Sequence, residues 1–243
     1  MLFTVISDLH YGNDGVVASK TGVVSAFIQR SMQPDISFAF ITGDCTDSGY
    51  DGQVTCSCLF PFIGANTAIT GGTNVNQVQQ FIDAVVTPIK PKTEVYIIQG
   101  NHDRYNGASR YPLANYITKT YGNTNYYFIK EGVLFMACDV YPNANICEWM
   151  TQTFLKLQVV QLNTPVVLFW HYNLEGAYSD WWTDSEKSAF LAVVTCVKVL
   201  GIFVGHLHSS YSNLWNGIPV FSSAGSQYAL GEIKNGQLSV SFV

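Results

Sequence analysis

The sequence predicts an α/β fold to which antiparallel strands are added, as one mixed sheet or as a sandwich of two. Three observations lead there: short apolar, β-rich runs that each end in a polar cluster, helically spaced segments between them, and Gly-containing turn signals elsewhere. Residues 2–7 are the first run. Val17, Val24, Phe27 and Ile28 then recur at three- and four-residue spacing, which predicts a helix. Residues 36–42 are the second strand, and Val75, Val78, Ile82 and Val85 repeat the helical spacing before the third, at 95–99. Residues 124–140 read as a hairpin turning at Glu131-Gly132. Strands at 166–170 and 199–204 follow. Between them residues 183–199 form the best-marked helix, with Thr183-Asp184-Ser185-Glu186 as a capping box ahead of Phe190, Val193, Val194 and Val197. Residues 211–243 complete the chain with turns at Asn216-Gly217 and Asn235-Gly236, pairs that accept two consecutive positive φ angles.

Residues 48–74 break this pattern. They are rich in Gly, Thr and Asn, carry Asp51 as their single charge, and read as an inserted lobe or long loop near the strand ends. A cap, an apolar patch for a second copy or another partner, and a structural loop all remain open for this insert. With no internal repeat and no linker, residues 1–243 read as a single domain.

Composition narrows the function. Charged residues are 12% of the chain against ~25% in typical domains, whereas 48% are hydrophobic, which excludes a disordered chain. Twelve Lys and Arg against 17 Asp and Glu give a net charge of −5, so neither a nucleic-acid partner nor an anionic membrane is expected. The first apolar run meets Asp8 too early for a secretory leader, and no stretch approaches the ~20 apolar residues of a membrane span. A soluble chain is expected, with the cytoplasm favoured. The six cysteines (45, 56, 58, 138, 147 and 196) include no CxxC pair and are expected to be reduced.

The chemistry lies in five clusters, each at the carboxyl end of a predicted strand: Asp8-Leu9-His10, Gly43-Asp44-Cys45-Thr46-Asp47, Gly100-Asn101-His102-Asp103, His171, and Gly205-His206-Leu207-His208. Loops at these ends of an α/β sheet converge on one crevice. Carboxylates, imidazoles and an amide oxygen gathered there suit Mn²⁺, Fe²⁺ or Zn²⁺, and no thiolate pair competes for the ion.

With these motifs, in this order, the chain resembles the calcineurin-like metallophosphoesterase superfamily, whose signature DxH, GDxxD, GNH[D/E], H and GHxH is complete across positions 8–208. The resemblance implies a four-layer αββα sandwich of two mixed β-sheets flanked by helices. It also implies a dinuclear site for two divalent ions, with Mn²⁺, Fe²⁺/Fe³⁺ or Zn²⁺ as the candidates. It assigns Asp8, His10, Asp44 and His208 to one ion, and Asn101, His171, His206 and the shared Asp44 to the other. By the same resemblance His102 is a general acid oriented by Asp47. Asp103, which ends the GNHD motif, is expected either to support the ligands from behind or to fix its loop as a turn or cap residue. The implied reaction is attack of a metal-bridging hydroxide on a phosphodiester or phosphomonoester; the scarcity of basic residues that would grip a dianion or a polyanionic chain favours the diester of a small molecule or lipid headgroup.

One departure narrows the substrate. In serine/threonine protein phosphatases an arginine follows GDxxD and clamps phosphate, whereas here that position is Ser48. Arg104, Asn173 and Tyr172 are the remaining candidates for substrate contact. The rings of Tyr172, Tyr178, Trp181 and Trp182 either pack beneath their loop or line the crevice. The alternative expectation is a catalytically weak or inactive structural or interaction module that keeps the fold; non-catalytic relatives typically lack ligand or catalytic positions, and none is missing here.

Overall fold

The structure is a computed structural model that describes residues 1–49, 76–104 and 112–243. From Tyr50 onward the expected insert lies outside the described residues, as do Cys56 and Cys58. The elements run β1 (Leu2–Ile6), α1 (Asp14–Ser31), β2 (Ile36–Thr42), α2 (Gln77–Phe81), a π-helical turn (Ile82–Val86), α3 (Thr87–Ile89), β3 (Glu94–Ile98) and α4 (Pro112–Tyr121). Then come β4 (Asn125–Lys130), β5 (Val133–Cys138), α5 (Ala144–Lys156), β6 (Val166–Phe169), α6 (Asp184–Val194), β7 (Val199–Val204), β8 (Ser210–Trp215), β9 (Ile218–Ser223), β10 (Ala229–Lys234) and β11 (Gln237–Phe242).

These strands make two mixed sheets, in the orders β11-β10-β1-β2-β3 and β4-β5-β6-β7-β9-β8. The parallel cores β1-β2-β3 and β5-β6-β7-β9 carry the expected buried runs, and the hairpins β4-β5, β8-β9 and β10-β11 supply the antiparallel additions. Each hairpin turns where expected: Glu131-Gly132, Asn216-Gly217 and Asn235-Gly236 all have positive φ at both positions. The sheets meet through a phenylalanine layer. Phe40 stacks on Phe169 with centroids 3.8 Å apart, and Phe38 meets Phe135 at 4.9 Å. Helix α1 covers β1 and β2, while Phe190 of α6 packs on Trp170, just past the end of β6, and on Trp215 of β8. The result is the four-layer sandwich of two mixed sheets flanked by helices.

Two differences from the sequence reading have physical causes. The capping box at Thr183 forms, but the helix expected to reach residue 199 stops at Val194. Val199 is needed as a strand residue, paired with Val166, and the same β-branched side chains serve both periodicities. Helix α5 was not anticipated, although it carries a signal: Asn143 caps its start by accepting from the Ile146 N–H, and Ile146, Cys147, Met150 and Phe154 are buried at helical spacing. Cys45, Cys138, Cys147 and Cys196 are free thiols, all but Cys196 buried, as expected.

Candidate metal centre

Strands β1, β2, β3, β6 and β7 end at one edge of the sandwich, and the loops leaving them pair beyond the sheets. Asp8 N–H donates to the Gly43 carbonyl at 3.0 Å and His10 N–H to that of Asp44 at 2.9 Å, so the first two loops run on as a ladder. The loop after β7 is drawn in through the Gly205 N–H, which donates to the His171 carbonyl at 2.9 Å. His206 N–H donates to the Asp8 carboxylate, 3.0 Å from Oδ2. Asp8, His10, Asp44, His206 and His208 all have φ between 47 and 73°. Non-glycine residues seldom adopt this left-handed conformation, and such strain concentrates at functional sites.

These turns bring together every residue that the resemblance assigned to metal. Asp8, His10, Asp44 and His208 form one group of potential ligand atoms, and Asp44, His171 and His206 a second, with Asp44 common to both. His10 and His208 present their Nε2 atoms to each other at 3.0 Å, His208 Nε2 lies 3.4 Å from Asp8 Oδ1, and Asp44 Oδ2 lies 3.7 Å from His10 Nε2. On the other side, His171 Nε2 is 3.2 Å from Asp44 Oδ2 and 3.1 Å from Asn101 Oδ1. His171 Nδ1 faces the Thr42 carbonyl at 2.9 Å. A carbonyl only accepts, so Nδ1 carries the hydrogen and Nε2 of the neutral ring offers a lone pair. An imidazole lone pair, a carboxylate oxygen and an amide oxygen therefore converge with no donor between them.

Such an arrangement suits a cation. Asp44 Oδ2 and His206 Nε2 are buried without a hydrogen-bond partner, which is costly unless something positive occupies the space between them. The donor set suits borderline or hard divalent ions, so these residues fit the two ions that the resemblance implied. In the metal-free chain a proton does part of this work. Burial alone would lower the His171 pKa, but the Asp44 and Asp8 carboxylates outweigh it and raise the ring to about 9. His206 moves the other way, pushed to about 4 by burial and by the neighbouring His171. Asp8 is held well below the usual carboxylate range: burial opposes this, but His208, His171 and Lys20 prevail.

The surrounding side chains correct several expectations. His102 Nδ1 is met by the main chain of Asp47 rather than by its carboxylate, although His10, Asp47 and His102 present potential ligand atoms within 4.8 Å of one another. His102 Nδ1 donates to the Asp47 main-chain carbonyl at 2.7 Å, while the carboxylate sits 3.4 Å from His10 Nδ1 and accepts from Asn13 Nδ2. The loop turns its carbonyl inward and leaves the carboxylate to orient a potential ligand. Asn173 is not placed to donate to phosphate: its amide nitrogen is spent on the carbonyls of Glu175 and Ala177, which holds its own loop. Arg104 lies on the surface with its guanidinium against Asp139 at 2.9 Å, so the expected phosphate clamp is already paired. Tyr172 is buried, stacked on Tyr141 and against the His206 ring. Asp103, fully buried, joins the loops: Oδ1 accepts from Thr46 N and Oγ1, and Oδ2 accepts from Gly100 N and Cys45 N.

Lys20 escaped the sequence reading because a lysine on an amphipathic helix carries no signal of its own. Its ammonium reaches from α1 to the carbonyls of Asp8 and Ala224, beneath the Asp8 turn. The glycines of the motifs are also structural requirements. A Cβ at Gly205 would run into Ser7 Oγ and lie 2.7 Å from Asp8 Oδ2. Gly205→Ala is therefore expected to cost about 1–3 kcal/mol in urea unfolding and to weaken metal binding. Unchanged values for both would show that the loop has room to move.

Comparisons with known proteins bear on the family and the fold. A family model for calcineurin-like phosphoesterases matches residues 1–210. No curated protein matches the chain. Among solved structures it is similar to a dimetal phosphatase from Danio rerio, with 14% identity, a TM-score of 0.61, and coverage of 100% of this chain and 95% of that one. It is also similar to GAP50, the anchor in the inner membrane complex of Plasmodium, with 11% identity, a TM-score of 0.63, and coverage of 100% and 84%. At these identities the likeness is one of fold.

Proposed function

We propose, for a chain that belongs to the calcineurin-like phosphoesterase family, that it hydrolyses a small phosphodiester with the help of two divalent cations. The observation that carries this reading is the buried Asp44 carboxylate, with ring nitrogens on both sides and one oxygen lacking any hydrogen-bond partner. Asp8, His10, Asp44 and His208 would hold one cation, and Asn101, His171, His206 and Asp44 the other. When bound, the two ions supply the Lewis acidity that activates water and offsets the charge on a phosphate.

The chain's own residues do the rest. His208 is about half exposed and His102 partly so, while Asp8, Asp44 and His171 are buried, so a phosphate enters from the His208 and His102 side. The Asp47 carbonyl fixes the His102 tautomer with hydrogen on Nδ1 and leaves Nε2 to carry the proton given to a departing alkoxide. The preference for a diester rests on charge. Among the described residues, Arg104 is paired with Asp139 and Lys20 is engaged by main-chain carbonyls behind Asp8, which suits a phosphodiester monoanion better than a monoester dianion. The substrate is expected to be a small molecule, since the net charge of −5 attracts no polyanion. Among the described residues no helix is long and apolar enough to cross a membrane.

The test compares Mn²⁺-loaded protein with its His102→Ala variant on two esters. An alkyl phosphodiester, whose leaving group needs a proton, is expected to lose about 10²–10⁴-fold in kcat. A p-nitrophenyl diester, whose leaving group departs without help, is expected to lose far less. Equal losses on both would remove the acid role. A protein that retains no metal and turns over neither ester would instead be the non-catalytic module.

A further inference from the structure

We propose that the exposed rings of Tyr178 and Trp181 form a stacking platform for a planar aromatic group on the ester that stays attached to phosphate after hydrolysis. This rests on the phosphodiesterase reading above. Beneath the platform lies a layer of buried rings: Trp182 packs on Trp170 and Phe190, and Tyr172 stacks on Tyr141. Tyr178 and Trp181 stand outside that layer, 63% and 58% exposed, whereas Trp170, Trp182 and Trp215 are buried. Leaving two large rings in water forgoes the burial that placed the others inside.

The local backbone holds them there. Tyr178 has φ 61° and ψ 17°, a left-handed conformation uncommon for an aromatic residue, and it opens the 3₁₀ turn Ser179–Trp181. The segment before the turn is fastened by Asn173, two residues after His171, through the carbonyls of Glu175 and Ala177. The platform is thereby tied to the proposed centre by a side chain rather than left on a free loop.

Position identifies which part of a substrate it would touch. The Tyr178 ring lies 6.1 Å from His206 at an interplanar angle of 80°, and Trp181 reaches the same histidine through Tyr172, at 6.4 and then 4.9 Å. His102 instead meets the His10 ring at 4.6 Å. His206 and His10 belong to different groups of potential ligands, joined through Asp44. A group lying on the platform is therefore not the one that His102 would protonate, so it is the retained ester. Charge narrows the class further: Glu175 and Asp180 are exposed beside the rings, and no Lys or Arg occurs between residues 172 and 186, which disfavours a second phosphate. An uncharged flat ring matches two aromatic faces.

The experiment uses the Mn²⁺-loaded full chain and a set of diesters that share p-nitrophenol as leaving group. The second ester is methyl, cyclohexyl, phenyl, thymidine 5′ or choline. The phenyl ester is expected to exceed the cyclohexyl ester roughly tenfold in kcat/KM, mostly through KM. Tyr178→Ser with Trp181→Ser should bring it down to the cyclohexyl value. A thymidine ester better than the phenyl ester would assign the ring to a nucleobase, and the reverse order to a simpler aryl group. A binding measurement separates this proposal from the hydrolase reading: calorimetry should show phenylphosphonate binding more tightly than cyclohexylphosphonate, and the double variant should lose the difference. If that difference appears while no ester is cleaved, the platform stands and the hydrolase reading falls. Equal turnover of all esters with equal phosphonate affinities, or choline as the best ester, overturns the platform and leaves hydrolysis intact.

Discussion

Asp44→Asn is expected to empty the protein of both divalent ions and to lower kcat/KM on any phosphoester by about 10²–10³-fold or more, the scale seen when a preorganised electrostatic group is lost. The change is nearly isosteric, so packing is preserved. Its effect comes from where the two oxygens point. Oδ2 lies between His10 Nε2 at 3.7 Å and His171 Nε2 at 3.2 Å, and Oδ1 accepts from the His102 N–H at 2.9 Å. An amide keeps the Oδ1 bond by orienting its oxygen there, which turns its NH₂ toward the two ring nitrogens. That NH₂ supplies the donor the cluster lacks, and it removes the negative charge shared by both subsites. Metal content after loading and desalting, measured by plasma mass spectrometry, checks this alongside activity. Two retained equivalents of metal in a folded Asp44→Asn protein would sink the assignment of Asp44 as the shared ligand.

Asp103→Ala has the second large expected effect, this time on stability. The carboxylate receives four hydrogen bonds, from Gly100 N, Cys45 N, Thr46 N and Thr46 Oγ1, with no exposure to water. Truncation orphans those donors in a dry environment at ~1–3 kcal/mol each, less whatever water enters, so a loss of about 3–5 kcal/mol is expected. Asp103→Asn should recover only part of this, because an NH₂ turned toward Gly100 and Cys45 meets two N–H donors, and one turned toward Thr46 still faces the Thr46 N–H. An unfolding free energy within about 1 kcal/mol of the parent for either variant would show that the two loops hold together without this clamp.

The same carboxyl predicts a pH effect in the metal-free protein. Burial, and then the neighbouring Asp44, raise its pKa to about 6, above the ~3.9 of an unfolded chain. Between those values the folded state holds a proton that the unfolded state has released. This group's contribution to stability therefore falls as pH rises from about 4 to about 6 and is level above that range. Urea unfolding of chelator-treated parent and Asp103→Ala across this range isolates the contribution as the difference between the two slopes.

Much of this was legible in the sequence because its signals are local. A run such as Ile36–Thr42 carries its own β-propensity, and Asn216-Gly217 carries its own turn geometry. The site residues were legible for a related reason: residue type and order at five strand ends specify a donor set wherever the loops happen to run. Helix α5 was missed although Asn143 and the four-residue spacing from Ile146 to Met150 and Phe154 announce it. The end of α6 could not be read, because only the pairing of Val199 with Val166 decides where helix yields to strand.

What the sequence determined by itself was the alternation of strands and helices and the identity of the groups at the strand ends, since both follow from propensity and residue chemistry along a short stretch of chain. Only the tertiary structure decided how those groups are used. It set the Asp47 carbonyl rather than its carboxylate against His102, committed Asn173 to its own loop, paired Arg104 with Asp139, brought Lys20 beneath Asp8, and left Trp181 outside while Trp182 went in. The physical reason is the same in each case. A side chain's direction and partner depend on contacts between segments tens to hundreds of residues apart, and those contacts exist only once the two sheets have closed on each other.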